Sequence, residues 1–247
     1  MLTAERRQAI LGHLERDGKV VASELVAALG VSEDTVRRDL RELAAGGLVQ
    51  RVHGGALPPA PGTAAFAQRL QVAPEAKAHL ADATLPLLEG ASVIVLDGGT
   101  TALELARRLP PERDCTVLTN SPPVAAALAA HPRAEVVLIG GRLLKREQVT
   151  VGSAAVDALR QVHADACVLG ICSIHPELGV TTLDLDEAHV KRAMVAASGE
   201  VIALATADKL GTASPWLVAP LADVTHLVTD AEDAAEYAVG GLSVVHA

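Results

Sequence analysis

Beyond about residue 76 the chain repeats one pattern: a short, nearly unbroken apolar run, a turn bearing Gly, Asn or Asp, then an Ala/Leu-rich stretch with helical spacing. The runs fall at residues 92–96, 116–118, 136–139, 166–171, 201–205 and 226–228, and the helical stretches at 101–109, 122–130, 154–162 and 186–197. A strand that is apolar at every position offers no face to water, so it must be covered on both sides. Such strands alternating with helices specify the α/β class, a mainly parallel sheet between helical layers. Aromatic residues make up only 1% of the chain, so its cores must be assembled from Ala, Val and Leu. Ligands of these sheets bind beyond the carboxyl ends of the strands, which directs attention to the turn after each run.

Those turns carry related residue types. Asp97-Gly98-Gly99-Thr100-Thr101 follows the first run and opens directly into a helix. Glycines let backbone N–H groups converge on an anion, and threonine hydroxyls add donors where the helix dipole favours negative charge. The same residues also suit a simple tight turn. No Gly-Lys-Ser/Thr follows and no third glycine appears, so this is neither a Walker loop nor a dinucleotide fingerprint. Asn120 follows the second run, where it either caps a helix or faces a ligand. Gly140-Gly141-Arg142 follows the third. Lys209 follows the fifth, as a point charge for a phosphate or as a surface lysine. Their convergence on one predicted sheet edge points to an anion site.

Residues 1–57 have a different rhythm. Helical spacing covers 4–17, 22–29 and 32–45, with Gly18 and Gly30 as stops, and the last two helices with their tight turn form a helix-turn-helix. In the third helix Ser32 is the N-cap, and Val36, Leu40 and Leu43 make one apolar stripe. Arg37, Arg38 and Arg41 fall opposite that stripe, with Thr35 at its margin. This suits a helix entering the major groove, and equally an amphipathic helix with a solvated charged face. Residues 48–53 alternate before Gly54-Gly55, which reads as a β-wing setting Arg51 and His53 against a phosphate backbone, or as a plain hairpin. The glycines are expected to supply left-handed turn angles and close approach to DNA. Residues 58–75, opening Pro58-Pro59-Ala60-Pro61-Gly62 and continuing through Thr63, read as a semi-rigid linker.

The formal charge of −9 argues against nucleic acid only until the chain is divided. Residues 1–56 hold eight basic and eight acidic side chains, so the whole excess of acid lies in the larger remainder. Phosphate contacts depend on the local face, not on the total. The three cysteines, Cys115, Cys167 and Cys172, have no paired spacing. They suit buried thiols rather than a disulfide frame or a zinc site, and no cofactor or metal is expected. No apolar run of membrane-spanning length and no signal-peptide core is apparent, which predicts a cytoplasmic protein without a membrane partner.

Residues 1–57 resemble the winged helix-turn-helix of the DeoR family of bacterial repressors in Glu5-Arg6-Arg7-Gln8-Ala9-Ile10, Leu29-Gly30-Val31-Ser32, Thr35-Val36-Arg37-Arg38-Asp39-Leu40 and Arg51-Val52-His53-Gly54-Gly55-Ala56. The resemblance implies that the third helix reads base edges and that Arg37 and Arg38 contact DNA. Asp39 is expected to orient an arginine, since phosphate repels a carboxylate. Phe66-Ala67-Gln68-Arg69 and Lys77 are similar to the family's elements after the wing. Residues 76–247 resemble its sensor domain in Leu96–Thr101, Val117–Asn120, Ile139–Arg142, Val151-Gly152, Leu169-Gly170, Gly179–Thr181, Glu187 with Lys191, and Asp208-Lys209.

That resemblance implies a fold like ribose-5-phosphate isomerase, and an effector pocket for a phosphorylated sugar lined by Asp97, Gly98, Gly99, Thr100, Thr101, Asn120, Gly141, Arg142 and Lys209. Glu187 and Lys191, four apart, are expected to form a surface ion pair. The reading is a repressor of a sugar or polyol operon, acting as a homo-oligomer (dimer or tetramer) on operator DNA and released by the phosphorylated metabolite. One alternative is an isomerase-like enzyme with an accessory DNA-binding domain. After the fourth run, however, Cys172-Ser173-Ile174-His175 offers no carboxylate base before Glu177. The other is an interaction module with a decayed pocket.

Overall fold

The protein, a computed structural model, is described for residues 2–61 and 64–247. Gly62 and Thr63 of the expected linker lie outside the described residues. The chain begins with α1 (Thr3–Asp17), β1 (Val20–Val21), α2 (Ala22–Leu29), α3 (Glu33–Ala45), β2 (Gln50–Val52) and β3 (Gly55–Leu57). Ile10, Leu14, Leu25, Val36, Leu40 and Leu43 form the core of this unit, so the stripe read from α3 is its buried face. The three strands make a small sheet in the order β1-β3-β2, the wing. Its turn is His53-Gly54, and only Gly54 takes a left-handed angle (φ 80°). Gly55 already belongs to β3. A side chain there would meet the Val20 carbonyl oxygen at 1.9 Å, so this glycine serves close packing on β1 and not approach to DNA.

After the wing come α4 (Phe66–Arg69) and α5 (Pro74–Thr84). The stretch read as a linker is docked: Pro59 bridges to Ala213, Phe66 is buried in the second core, and the Phe66 N–H donates to the Arg146 carbonyl at 2.8 Å. The larger unit then runs β4 (Val93–Leu96), α6 (Thr100–Arg108), β5 (Cys115–Thr119), α7 (Pro122–Leu128), β6 (Ala134–Leu138), β7 (Arg142–Leu144), β8 (Val149–Val151) and α8 (Ser153–Leu159). It continues with β9 (Ala164–Gly170), β10 (Ser173–His175), β11 (Gly179–Thr182), α9 (Leu185–Ala196), β12 (Ser198–Ala205), β13 (Trp216–Ala219), β14 (His226–Thr229) and β15 (Ser243–His246). Seven strands form one wholly parallel sheet in the order β15-β14-β12-β9-β4-β5-β6.

Strand alternation divides the interior into two cores. Ile94, Leu96, Val117, Ala166, Val168, Ile202 and Leu204 meet α5, α6 and α7 on one face. Val95, Cys167, Leu169, Val201 and Ala203 meet α8 and α9 on the other. From β4 the chain builds outward through β5 to β6, then returns to β9 on β4's other side. The β4/β9 junction is therefore the point where strand order reverses, the place where such sheets open a crevice.

One buried charge fixes α1 on α3. Asp39 is 1% exposed and accepts hydrogen bonds from Arg6 and Arg7 of α1. Burial works against its charge, but the two guanidinium groups outweigh it and hold the carboxyl below the usual aspartate range. Asp39→Asn is expected to destabilise the N-terminal unit by roughly 2–3 kcal/mol, the worth of lost charged hydrogen bonds. Because the folded pKa is depressed, the wild-type advantage should persist above the carboxylate range and vanish as pH falls through it. Urea unfolding of both proteins at neutral and acid pH measures this.

Candidate functional site

Two surfaces merit description, one on each unit. On the first, Arg37, Arg38, Arg41, Arg51, His53 and Gly54 are all exposed, along α3 and the wing turn. Ser32 caps α3: its Oγ accepts from the Thr35 N–H at 3.3 Å and lies 2.9 Å from the Thr35 hydroxyl. Arg37 pairs with Glu33 at 2.6 Å in the open. Arg38 and Arg41 have no ion pair among the described residues, so both are free for a polyanion.

On the second unit, a cavity of about 410 Å³ lies across the carboxyl ends of β4, β9, β12 and β14. Gly98, Gly99, Thr100 and Thr101 line it at the start of α6, whose first turn no side chain caps. Lys209 lines it beyond β12, and Pro61, Ala64, Arg69, Val72, Ala73 and Lys77 form another part of its wall. The Arg69 Nε is buried without a hydrogen-bond partner among the described residues. The Lys77 ammonium is committed, donating to the Arg69 and Val72 carbonyls and so tying the α4–α5 turn. Burial lowers the Lys209 pKa to about 8, with Arg69 and Lys77 adding to the effect and Asp208 opposing it. Glu147, Asp184, Glu187, Asp208 and Asp230 also line the cavity, and hydrogen bonds within the chain engage all of them but Glu147, which lies 3.7 Å from Arg146. Asp184 accepts from the Glu187 N–H at 2.9 Å, Asp208 from the Thr206 hydroxyl at 2.5 Å, and Asp230 from the Ala207 N–H at 2.7 Å. The α6 amides, the Arg69 Nε and Lys209 are the donors and cations left open toward the cavity, the groups an anion would engage.

The remaining residues predicted to line a pocket lie elsewhere. Asp97 is beneath the floor, 1% exposed, accepting from the Gly170 N–H at 3.0 Å and from the Lys191 ammonium. Asn120 is buried under β8, its amide donating to the Thr150 carbonyl at 3.0 Å. Gly141 takes φ 149° and lets the chain turn into the β7–β8 hairpin, where a side chain would strike the Val151 carbonyl. Arg142 is exposed and paired with Asp186. The hairpin closes over the ends of β5 and β6, and so separates these three residues from the cavity. His175 is outside it too, its ring accepting from the Glu177 N–H at 3.1 Å.

Lys191 is the largest departure from expectation. It is 3% exposed, not on the surface, donates to the Gly170 carbonyl at 2.8 Å and lies 3.5 Å from Glu187. Burial opposes its charge, but Asp97 and Glu187 more than compensate and raise its pKa. Glu187 accepts in turn from the Thr182 hydroxyl at 2.7 Å. The signal was available: Glu187 and Lys191 share a helix face with Met194, and Ala188, Val190 and Ala193 beside them are apolar and buried.

The geometry defines a two-part protein: a winged helical unit with exposed arginines and an α/β unit with a crevice at its strand ends. Residues 6–60 match the DeoR-like helix-turn-helix domain and residues 72–231 the DeoR C terminal sensor domain. The chain is 35% identical to the HTH-type transcriptional regulator GlpR of Haloferax volcanii, over 99% of this chain and 98% of that one. It is 33% identical to the HTH-type transcriptional repressor GlcR of Bacillus subtilis, over 93% and 89%. It is 30% identical to the glycerol-3-phosphate regulon repressor of Escherichia coli, over 94% and 92%. Among solved structures, ribose 5-phosphate isomerase A of Methanocaldococcus jannaschii aligns over 54% of this chain and 53% of that one (TM-score 0.39, 15% identity). The β subunit of eIF2B from Chaetomium thermophilum aligns over 57% and 41% (TM-score 0.43, 13% identity). The chain belongs to the DeoR family of DNA-binding transcriptional regulators. It is a regulator and not an isomerase-like enzyme.

Lys191→Met should leave Asp97 and Glu187 buried without a countercharge and destabilise the α/β unit by roughly 3–5 kcal/mol. Adding Asp97→Asn removes one stranded carboxylate and should restore a substantial part of the loss. Urea unfolding of both variants gives the comparison.

Proposed function

We propose that this regulator represses a sugar or polyol operon, and that a phosphorylated metabolite in the crevice releases it from operator DNA. The observation that carries the reading is the meeting of the uncapped α6 amides with Lys209 and Arg69 in one cavity, where Asp184, Asp208 and Asp230 are turned to hydrogen bonds within the chain. A phosphate there gains backbone donors, helix dipole and cations together. Named relatives repress the glycerol-3-phosphate regulon or act as regulators of the same type, which supports the reading.

Release needs a ligand that favours the DNA-free arrangement, with coupling of about 1–3 kcal/mol. The route is short. Pro61, Ala64, Arg69 and Lys77, which line the cavity, stand in sequence soon after β3 of the wing, while Pro59 rests against Ala213, close in sequence to Lys209. On this reading Ser32, Thr35, Arg37, Arg38, Arg41, Arg51, His53 and Gly54 face DNA. One winged helix reads few base pairs, so two or more copies act on repeated half-sites.

Two outcomes test this. Arg38→Ala should weaken binding to an operator fragment by about 5- to 150-fold at fixed salt, the range for a lost base contact, with unchanged thermal unfolding; a gel-shift titration reads it. A phosphate dianion favours charged Lys209, so binding takes up a proton above pH 8. Calorimetric titration with pentose and hexose phosphates should show affinity falling about tenfold between pH 7 and 9. Lys209→Met should bind more weakly and lose that slope. A slope retained in the variant would remove Lys209 from the site.

A further inference from the structure

The large sheet ends at β6 in an edge that no strand of the described residues covers. Val136 stands opposite Val117 and Leu138 opposite Thr119, while the Ile139 N–H donates to the Thr119 carbonyl at 2.8 Å. In a parallel ladder, a residue whose two neighbours bond to the adjacent strand turns its own N–H and C=O the other way. Val136 and Leu138 therefore present theirs outward. The Ala134 N–H, which shares that direction, is already taken by the His131 ring at 2.9 Å. Val137 is 40% and Leu138 49% exposed. Protected edges carry charged side chains, Lys above all, Pro or a bulge; Ala134-Glu135-Val136-Val137-Leu138 has one charge, Glu135, and no Lys, Pro or register shift. The opposite edge, β15, ends in exposed Ser243 and His246.

We propose that β6 is the surface on which two copies of this chain pair, antiparallel about a two-fold axis at Val137, fusing two sheets into one. The proposal rests on the homo-oligomer reading above and names its interface. A two-fold contact must be self-complementary, with residue i facing j and j facing i. The register centred on Val137 meets this with the groups at hand. Val136 exchanges N–H···O bonds with Leu138 of the second copy, Leu138 does so with its Val136, and the occupied Ala134 N–H is not called upon. On one face Val136 packs beside Leu138. On the other, Val137 meets its own counterpart at a non-hydrogen-bonded position, where Cα atoms approach to about 4.5 Å.

That spacing suits a disulfide. Full-length Val137→Cys, oxidised with copper phenanthroline, should convert mainly to a linked dimer on a non-reducing gel. Wild type should not, since Cys115 and Cys167 are buried and Cys172 is partly so. Leu138→Lys should weaken self-association about 100-fold or more, the cost of an ammonium trapped without a partner. Sedimentation equilibrium reads this against the 25.4 kDa chain. Val136→Pro should do the same while folding normally, because the N–H it removes bonds to nothing within the chain. A monomeric wild type that still binds operator at full affinity overturns the homo-oligomer reading itself. An oligomeric wild type with both substitutions without effect overturns only the β6 interface. Loss of assembly in Leu138→Lys without cross-linking of Val137→Cys overturns the register.

Discussion

The α/β unit depends on an ion pair buried where its two halves join. Asp97 follows directly on β4, and Lys191 projects from α9 to meet both Asp97 and the carbonyl of Gly170 at the end of β9. Gly170 sits so close that a side chain there would strike the Gly98 carbonyl at 2.4 Å. One ammonium thus ties two strand ends and a covering helix at the mouth of the crevice. An apolar replacement would fill the space, but it would leave the buried Asp97 carboxylate with the Gly170 N–H and no countercharge. The pair defines how the turns lie and keeps Asp97 from offering negative charge to whatever occupies the cavity above.

The N-terminal unit uses the same device in miniature. Asp39 lies on the recognition helix, on the side away from the exposed arginines, and its charge is consumed by Arg6 and Arg7. A carboxylate inside a motif that faces phosphate is therefore no liability: it aims α3 from behind. Both units spend a buried acid on holding the scaffold and leave cations at the working surface. On the proposed reading, this is how a chain of net charge −9 offers two surfaces to anions.

The strands and helices of both units were legible because burial on two faces leaves continuous apolar runs, and burial on one face leaves a 3.6-residue stripe. The central strands and the recognition helix follow that rule. The last strand, Ser243–His246, is short and exposed at both ends, and leaves no such trace. The cavity was legible only along β4 and β12, whose turns carry Gly98 to Thr101 and Lys209. Asn120, Gly141 and Arg142 sit at equivalent strand ends, but the β7–β8 hairpin covers that side, and a pattern of types cannot say which strand ends a later hairpin will close. Lys191 failed for another reason. Spacing of four suggests a surface pair, whereas the decisive partner, Asp97, is remote in sequence and becomes a neighbour only in the folded sheet.

The reversal of strand order also has a consequence for how this chain is made. Strand β4 lies near the middle of the finished sheet, yet its neighbour β9 follows about seventy residues later, after β5 through α8. On a ribosome the winged unit can close early, since its contacts are local. The sheet, in contrast, must wait with β4's apolar flank bare while the chain that will cover it is still being translated. The countercharge that Asp97 meets in its buried place, Lys191, is not made until 94 residues later. The joint that anchors the crevice therefore cannot close before the chain has been made through α9.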